Sequence, residues 1–285
     1  MNQDDFPLAE ELKNFFSYNL PFSFLGFSTH YSHLRNDHTQ KMIHTVTYPV
    51  THLIEIFQLE EYFQNQLHVK DVLNVSRYDW LNFQDQVLLE LTSGDVFHDG
   101  LNRLAAIRNT LNFYPSDILK LRLASLWQSV SNEEAFIGRC IELNDIIGLK
   151  LIAARIVNAL MKIAFYCEQR YIPYSKWLGT AFKQLAHYRE LQPLIQSILD
   201  ENNPAEIEAQ VCALALKLVD IHNRNAELPL LDNTIQCFYG RPSKVIFAER
   251  IVAALVNSIE DQELKKRNLN KIALDLKLDS VDLTE

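Results

Sequence analysis

SNEEAFIGRCIELNDIIGLKLIAARIVNALMKIAFYCEQR, residues 131–170, is the stretch that decides the fold class. Apolar residues recur along it at helical spacing, with no proline and only two glycines. Ser131 and Glu134 have the S-x-x-E spacing of a capping box. The stretch therefore reads as one long helix over about 132–170, bent near Gly148. Arg155, Asn158 and Lys162 interrupt its apolar run, so it falls short of the roughly 18 to 20 uninterrupted apolar residues of a membrane span.

Outward from this helix the chain keeps the same character. Seven glycines and nine prolines in 285 residues favour long helices over short strands and turns. On the C-terminal side, helices are expected at 178–187, 191–200, 204–225 and 244–258, with a long loop at 226–243. On the N-terminal side, 80–92, 101–112 and 116–130 read as helices, the last one capped by Ser116 or Asp117 after Tyr114-Pro115. Before residue 80 the pattern is mixed. Residues 8–19 have helical spacing, FSFLGFSTHY (22–31) alternates like a strand, Ile43–Tyr48 is a short β-like run, and Val50–Gln66 reads as a helix. The expected fold class is mainly α: a helical bundle over 80–258, preceded by a small, incomplete α/β portion over 1–79 and followed by a charged tail over 259–285.

Composition narrows the function classes. Net charge is −9, from 36 acidic and 27 basic residues, which argues against a broad nucleic-acid face. Lys265, Lys266, Arg267 and Lys271 form the densest basic run and read as a solvated helix face. Cys140, Cys167, Cys212 and Cys237 are far apart and form no CxxC pair, which fits a reducing compartment. With no signal-like N-terminus, a cytoplasmic location is expected, with no nucleic-acid or membrane partner. No two glycines lie closer than six residues, so neither a P-loop nor GxGxxG can occur. HExxH, GxSxG and Gly-Ser are absent as well. Asp4-Asp5 precedes an amphipathic helix and reads as a helix-start acidic pair rather than a metal site.

Several groups of side chains have chemical potential. Arg139, Glu142 and Asp145 recur at i, i+3 and i+6, and Arg155 follows about three turns on; they could line a polar ligand or form an ion-pair ladder on a solvated face. Arg170-Tyr171-Ile-Pro-Tyr174-Ser-Lys176-Trp177 offers two cations and three aromatics between helices. These suit a nucleobase and a phosphate, or else a plug for the bundle with its cations turned outward. His98-Asp99, with Arg103 and Arg108 beyond, reads mainly as a cap. His30, His33, His38, His44 and His52 match no zinc pattern. His222-Asn223-Arg224, with Arg241-Pro242 after the loop, reads as a helix C-terminus or as a wall of the same pocket.

A series of short motifs occurs in one order. It comprises Val96-Phe-His-Asp-Gly100, Arg108 with Tyr114-Pro115-Ser-Asp117, Glu133–Arg139, Asn144–Gly148, Ala154–Val157, Arg170–Trp177 running into Gly179–Phe182, His222-Asn223 and Arg241-Pro242. From about Pro21 to Val256 this series resembles the bacterial domain-of-unknown-function family numbered 4037, which consists of nucleotidyltransferase-like proteins. The resemblance implies nucleotidyl transfer to a small acceptor, with the helical part packed on a catalytic sheet. It makes Arg139, Glu142, Asp145, Arg155, Arg170, Tyr174, Lys176 and Trp177 pocket candidates for a nucleotide or small-molecule ligand. The family's upstream Gly-Ser turn and Asp-x-Asp pair have no counterpart here, and without paired carboxylates two metal ions cannot be held. The expectation is thus a catalytically incomplete chain with no cofactor of its own. Magnesium and a nucleoside triphosphate would enter only if a separately encoded or upstream N-terminal segment completes it. A non-catalytic ligand-binding or protein-interaction module is the other reading.

Overall fold

A computed structural model describes residues 8–33 and 39–275. Asp4, Asp5 and His38 lie outside the described residues, as does the chain beyond Asp275. The chain divides into two compact units, one ending at Asn74 and one beginning at Val75.

In the first unit, α1 (Ala9–Asn19) is followed by a two-stranded antiparallel hairpin, β1 (Ser23–Phe24) and β2 (Phe27–Ser28). Leu25 and Gly26 turn it with φ of 51° and 84°, the paired left-handed conformation that two-residue hairpin loops require. Tyr31 and Met42 form an isolated antiparallel bridge, while Ile43–Tyr48 forms no strand. The α/β reading of this portion thus comes down to small pieces of sheet. The helix expected over Val50–Gln66 is also shorter than read. Only α2 (Leu59–Leu67) is helical, and 50–58 is irregular, with burial that alternates from His52 to Gln58. Val50, Thr51, Ile54 and Ile56 are β-branched and stiff at χ1, which disfavours the helix. Two histidines clasp this segment. His30 Nδ1 accepts the Thr51 amide at 2.8 Å, and His52 Nδ1 accepts the Ile54 amide while its Nε2 lies 3.1 Å from the Lys13 carbonyl.

The second unit is helical. It opens with α3 (Arg77–Asn82), α4 (Asp85–Thr92) and α5 (Arg103–Thr110). Ser76 and Asp79 form a reciprocal capping box on α3. Asp99 accepts the Ala105 amide in the first turn of α5, the capping role read for it. The core is a hairpin of α6 (Ser116–Glu142) and α7 (Ile146–Cys167), onto which the helices Pro204–His222, Ala248–Asn257 and Leu269–Asp275 pack. The single helix read over 132–170 is therefore two helices. The first runs through Ser131 without a break, and no capping box forms there. The chain turns at Asn144, whose φ is 53°, and Asp145 restarts it by accepting the Gly148 amide at 2.8 Å. A Cβ on Gly148 would lie 2.3 Å from Asp145 Oδ2 and 3.2 Å from Cys140 Sγ, so only glycine lets the turn close this tightly. The i, i+4 pattern continues on both sides of the turn, and that continuity concealed it.

After α7 come α8 (Ser175–Phe182), α9 (Tyr188–Asp200) and α10 (Pro204–His222). A short hairpin, β3 (Gln236–Cys237) and β4 (Lys244–Val245), leads to α11 (Ala248–Asn257). The stretch from 259, read as the start of a charged tail, instead folds onto α6 as α12 (Gln262–Lys265) and α13 (Leu269–Asp275), burying Ile259, Leu264 and Ala273. Asp117 anchors it. Rather than capping α6, its carboxylate accepts the amides of Glu260 and Asp261, both at 3.0 Å.

Candidate functional site

α6 places a charge where the pattern of its apolar neighbours calls for a core residue. Arg122 lies in Ile118-Leu-Lys-Leu-Arg-Leu-Ala-Ser-Leu-Trp127 and is 4% exposed. A buried guanidinium needs partners for its donors. Nη2 donates to the carbonyls of Phe83 (2.7 Å) and Trp80 (3.3 Å), and Nη1 meets Asp85 Oδ2 at 3.3 Å and Tyr166 Oη at 3.4 Å. Its carbon Cζ stands 4.3 Å from the centre of the Tyr114 ring, a cation–π geometry. Asp85 in turn accepts the Tyr166 hydroxyl (2.9 Å) and the Ile172 amide (3.2 Å). Burial pushes the Asp85 carboxyl above its ordinary range, against the pull of Arg122 and of its hydrogen bonds. Burial also opposes the charge on Arg122, but Tyr114, Tyr166 and Asp85 outweigh it, and the group stays a cation.

This network fixes the turn that follows α7. Ile172 is tied to Asp85, the Tyr174 amide donates to Gln86 Oε1 at 3.0 Å, and Tyr171 Oη donates to the Leu111 carbonyl at 2.7 Å. Tyr171, Ile172 and Pro173 plug the core, while Tyr174 is half-buried. The chain then enters α8, whose first turn leaves Lys176 and Trp177 at the surface. Lys176 Nζ lies 5.2 Å from the Trp177 ring centre, and Trp177 is 49% exposed. Arg170, also exposed, donates to the Gln184 carbonyl at 3.0 Å. The two readings of this segment thus divide between its halves. The first half is a packed plug, and the second is an exposed aromatic and cationic surface carried on it.

The other sequence candidates lie elsewhere. α7 has 22 residues and a length of about 33 Å, with Asp145 at its head and the Arg170–Trp177 turn past its end. Arg139 and Glu142 pair with each other at 2.8 Å on the exposed face of α6. Asp145 is spent on the Gly148 cap. Arg155 Nε reaches both oxygens of Glu133, at 2.9 and 3.0 Å. His222 is fully buried and contacts the Pro229 carbonyl through Nε2 at 3.0 Å, and Asn223 clasps Leu231 by both its backbone groups. Among the described residues no group of three His, Cys, Asp or Glu could hold a metal ion. The acceptors of Asp85 are already committed, so this set does not fit a two-metal centre.

Sequence reasoning missed Asp85 and Arg122. The two lie 37 positions apart, and the one available signal was an arginine and a lysine inside the apolar run 118–127.

Fold and site together define a helical domain organised around one buried ion pair, with a surface turn mounted on it. The segment that carries both, residues 80–178, matches the family described as Domain of unknown function (DUF4037). The match begins at Trp80, whose carbonyl accepts Arg122, and ends just beyond Trp177. No curated protein and no solved structure matches the chain. Among the described residues, no helix is long and apolar enough to cross a membrane.

Proposed function

We propose that the helical unit is a ligand-binding module of nucleotidyltransferase-like kind. It holds a nucleotide or small acceptor on the Arg170–Trp177 turn and performs no transfer chemistry with its own side chains. The observation that carries this is the mounting of the turn. Three amide and hydroxyl bonds tie Tyr171, Ile172 and Tyr174 to Leu111, Asp85 and Gln86, so the turn that carries Trp177 and Lys176 is already ordered before binding. An exposed indole beside a cation suits a base stacked on the ring and a phosphate near the ammonium. The nucleotidyltransferase relation itself rests on the motif series, while the match over 80–178 supports the domain-of-unknown-function family. Calorimetry with ATP, with and without Mg²⁺, tests the reading. Heat from the wild type that Lys176→Ala weakens supports it, and no heat from any nucleoside triphosphate refutes it.

A protein-interaction module is the second reading, favoured by one observation. Leu143, Ile147 and Leu151 are 60%, 73% and 58% exposed around the α6–α7 turn, and clustered exposed apolar side chains mark interfaces. Sedimentation equilibrium checks it. Self-association that Ile147→Asp abolishes supports it, and a monomer at high concentration counts against a homotypic interface.

A further inference from the structure

A second polar cluster, which includes no member of the Asp85–Arg122 network, lies where α7, the α8–α9 turn and the end of α10 meet. Glu168, the residue after α7, directs its carboxylate at that turn. Oε2 accepts the Ala186 amide at 2.8 Å, and Oε1 accepts the His187 amide at 2.9 Å and His187 Nδ1 at 2.8 Å. Three donors converge on this carboxylate, so it acts purely as an acceptor and Nδ1 carries a proton. In the neutral ring Nε2 then holds the lone pair. Facing it at 3.4 Å is Nη1 of Arg224, an exposed side chain just past α10. The Glu168 side chain is 11% exposed and that of His187 24%. The dyad is therefore held in place while its outer edge remains open to solvent. Glu190 on α9 also acts on this ring, and it pairs with Lys217 on α10 at 2.5 Å. Glu190 is thereby engaged with Lys217, and its charge also acts on Arg224 and His187.

We propose that Glu168, His187 and Arg224 form an oxyanion site of the phosphate class, whose occupation is coupled to protonation of His187. Protonation turns Nε2 into a donor. Two cationic donors, Nε2–H and the Arg224 guanidinium, then stand opposed at 3.4 Å and cannot satisfy each other. A tetrahedral anion with adjacent acceptor oxygens bridges them with two charge-assisted hydrogen bonds. Glu168 neutralises the far side of the ring and fixes its orientation, as carboxylates do for functional histidines. It is a positioning residue and does not touch the anion. The proton comes from bulk solvent, so each anion bound takes up a proton wherever the free ring is neutral. This site stands on its own geometry and does not depend on ligand binding at Trp177.

The test uses the full-length protein and inorganic phosphate. Long-range ¹H–¹⁵N spectra of the imidazoles are followed through a phosphate titration, with sodium chloride at matched ionic strength as control. The expected result is a saturable conversion of His187 Nε2 from lone-pair-bearing to protonated nitrogen, absent with chloride. Arg224→Gln should raise the phosphate dissociation constant about tenfold while leaving far-UV circular dichroism unchanged. Glu168→Gln should lose the protonation coupling and, if it disturbs the turn, show that separately by circular dichroism. An unchanged His187 signal overturns the proposal, as does an equal response in Arg224→Gln. Either would show that the cluster is a structural clasp between α7 and the α8–α9 turn.

Discussion

Replacing Arg122 by methionine removes the cation and keeps most of its apolar volume. The structure gives the consequences one by one. Asp85, 8% exposed, loses its countercharge, and the carbonyls of Trp80 and Phe83 lose a buried donor. Breaking a buried pair by removing one partner costs about 3–5 kcal/mol. For a unit of this size that lowers Tm by about 6–20 °C. Trp80 and Trp127 are both buried in this unit, so their fluorescence during urea unfolding reads the loss directly. The pH dependence gives a second check. Burial already raises Asp85 in the wild type, and losing Arg122 raises it further. A carboxyl raised in the folded state contributes stability at low pH that is lost as pH rises through its folded value. Arg122→Met should therefore recover part of its loss on acidification towards pH 5. The double variant Asp85→Asn/Arg122→Met removes the orphaned charge and should be less damaged than the sum of the two single changes, by about 1–3 kcal/mol. A loss below about 1 kcal/mol in Arg122→Met, or strict additivity in the double variant, would refute the view that this pair organises the domain.

Three further outcomes follow from the geometry. Gly148→Ala sets a Cβ 2.3 Å from Asp145 Oδ2 and displaces the cap, with an expected cost of about 1–3 kcal/mol by thermal unfolding. Burial pushes the Glu134 carboxyl from 4.5 up to about 7, against two hydrogen bonds from the Ala248 and Ile246 amides. Its folded value is the higher one, so the protonated form contributes stability in full below about 4.5 and loses it as pH rises through about 7. Glu134→Gln should flatten the fall in stability between pH 5 and 8 by up to ~3 kcal/mol in denaturation curves. Asp117→Ala frees the amides of Glu260 and Asp261, and limited proteolysis should then cut near residue 260 faster than in the wild type.

The helical bulk was legible because breakers are scarce and apolar residues keep a 3.6-residue period from Ser116 onward. The turn inside 131–170 was not. Asp145 was read as the third member of the Arg139–Glu142–Asp145 series on one helix, and Val50–Gln58 was read as helical because Val50, Leu53, Ile54 and Phe57 fall at i, i+3, i+4 and i+7. The Arg170–Trp177 segment was legible as unusual by composition alone. Its division into a buried and an exposed half depends on Asp85 and Gln86, which contact it from about 87 residues upstream. Arg122 was hidden for the same reason. A charge in an apolar run becomes meaningful only when its partners, distant in sequence, are known. Glu168, His187 and Arg224 likewise meet only through tertiary packing.

Trp177 supplies the most direct test of the ligand-binding account, because it is 49% exposed while Trp80 and Trp127 are 4% and 0% exposed. Its red-shifted emission is therefore separable from that of the other two. Titration with ATP should quench this component saturably, and Trp177→Phe should abolish the response while leaving the buried emission unchanged. An emission spectrum indifferent to ATP, or a quench that persists in Trp177→Phe, would contradict a ligand site on this turn.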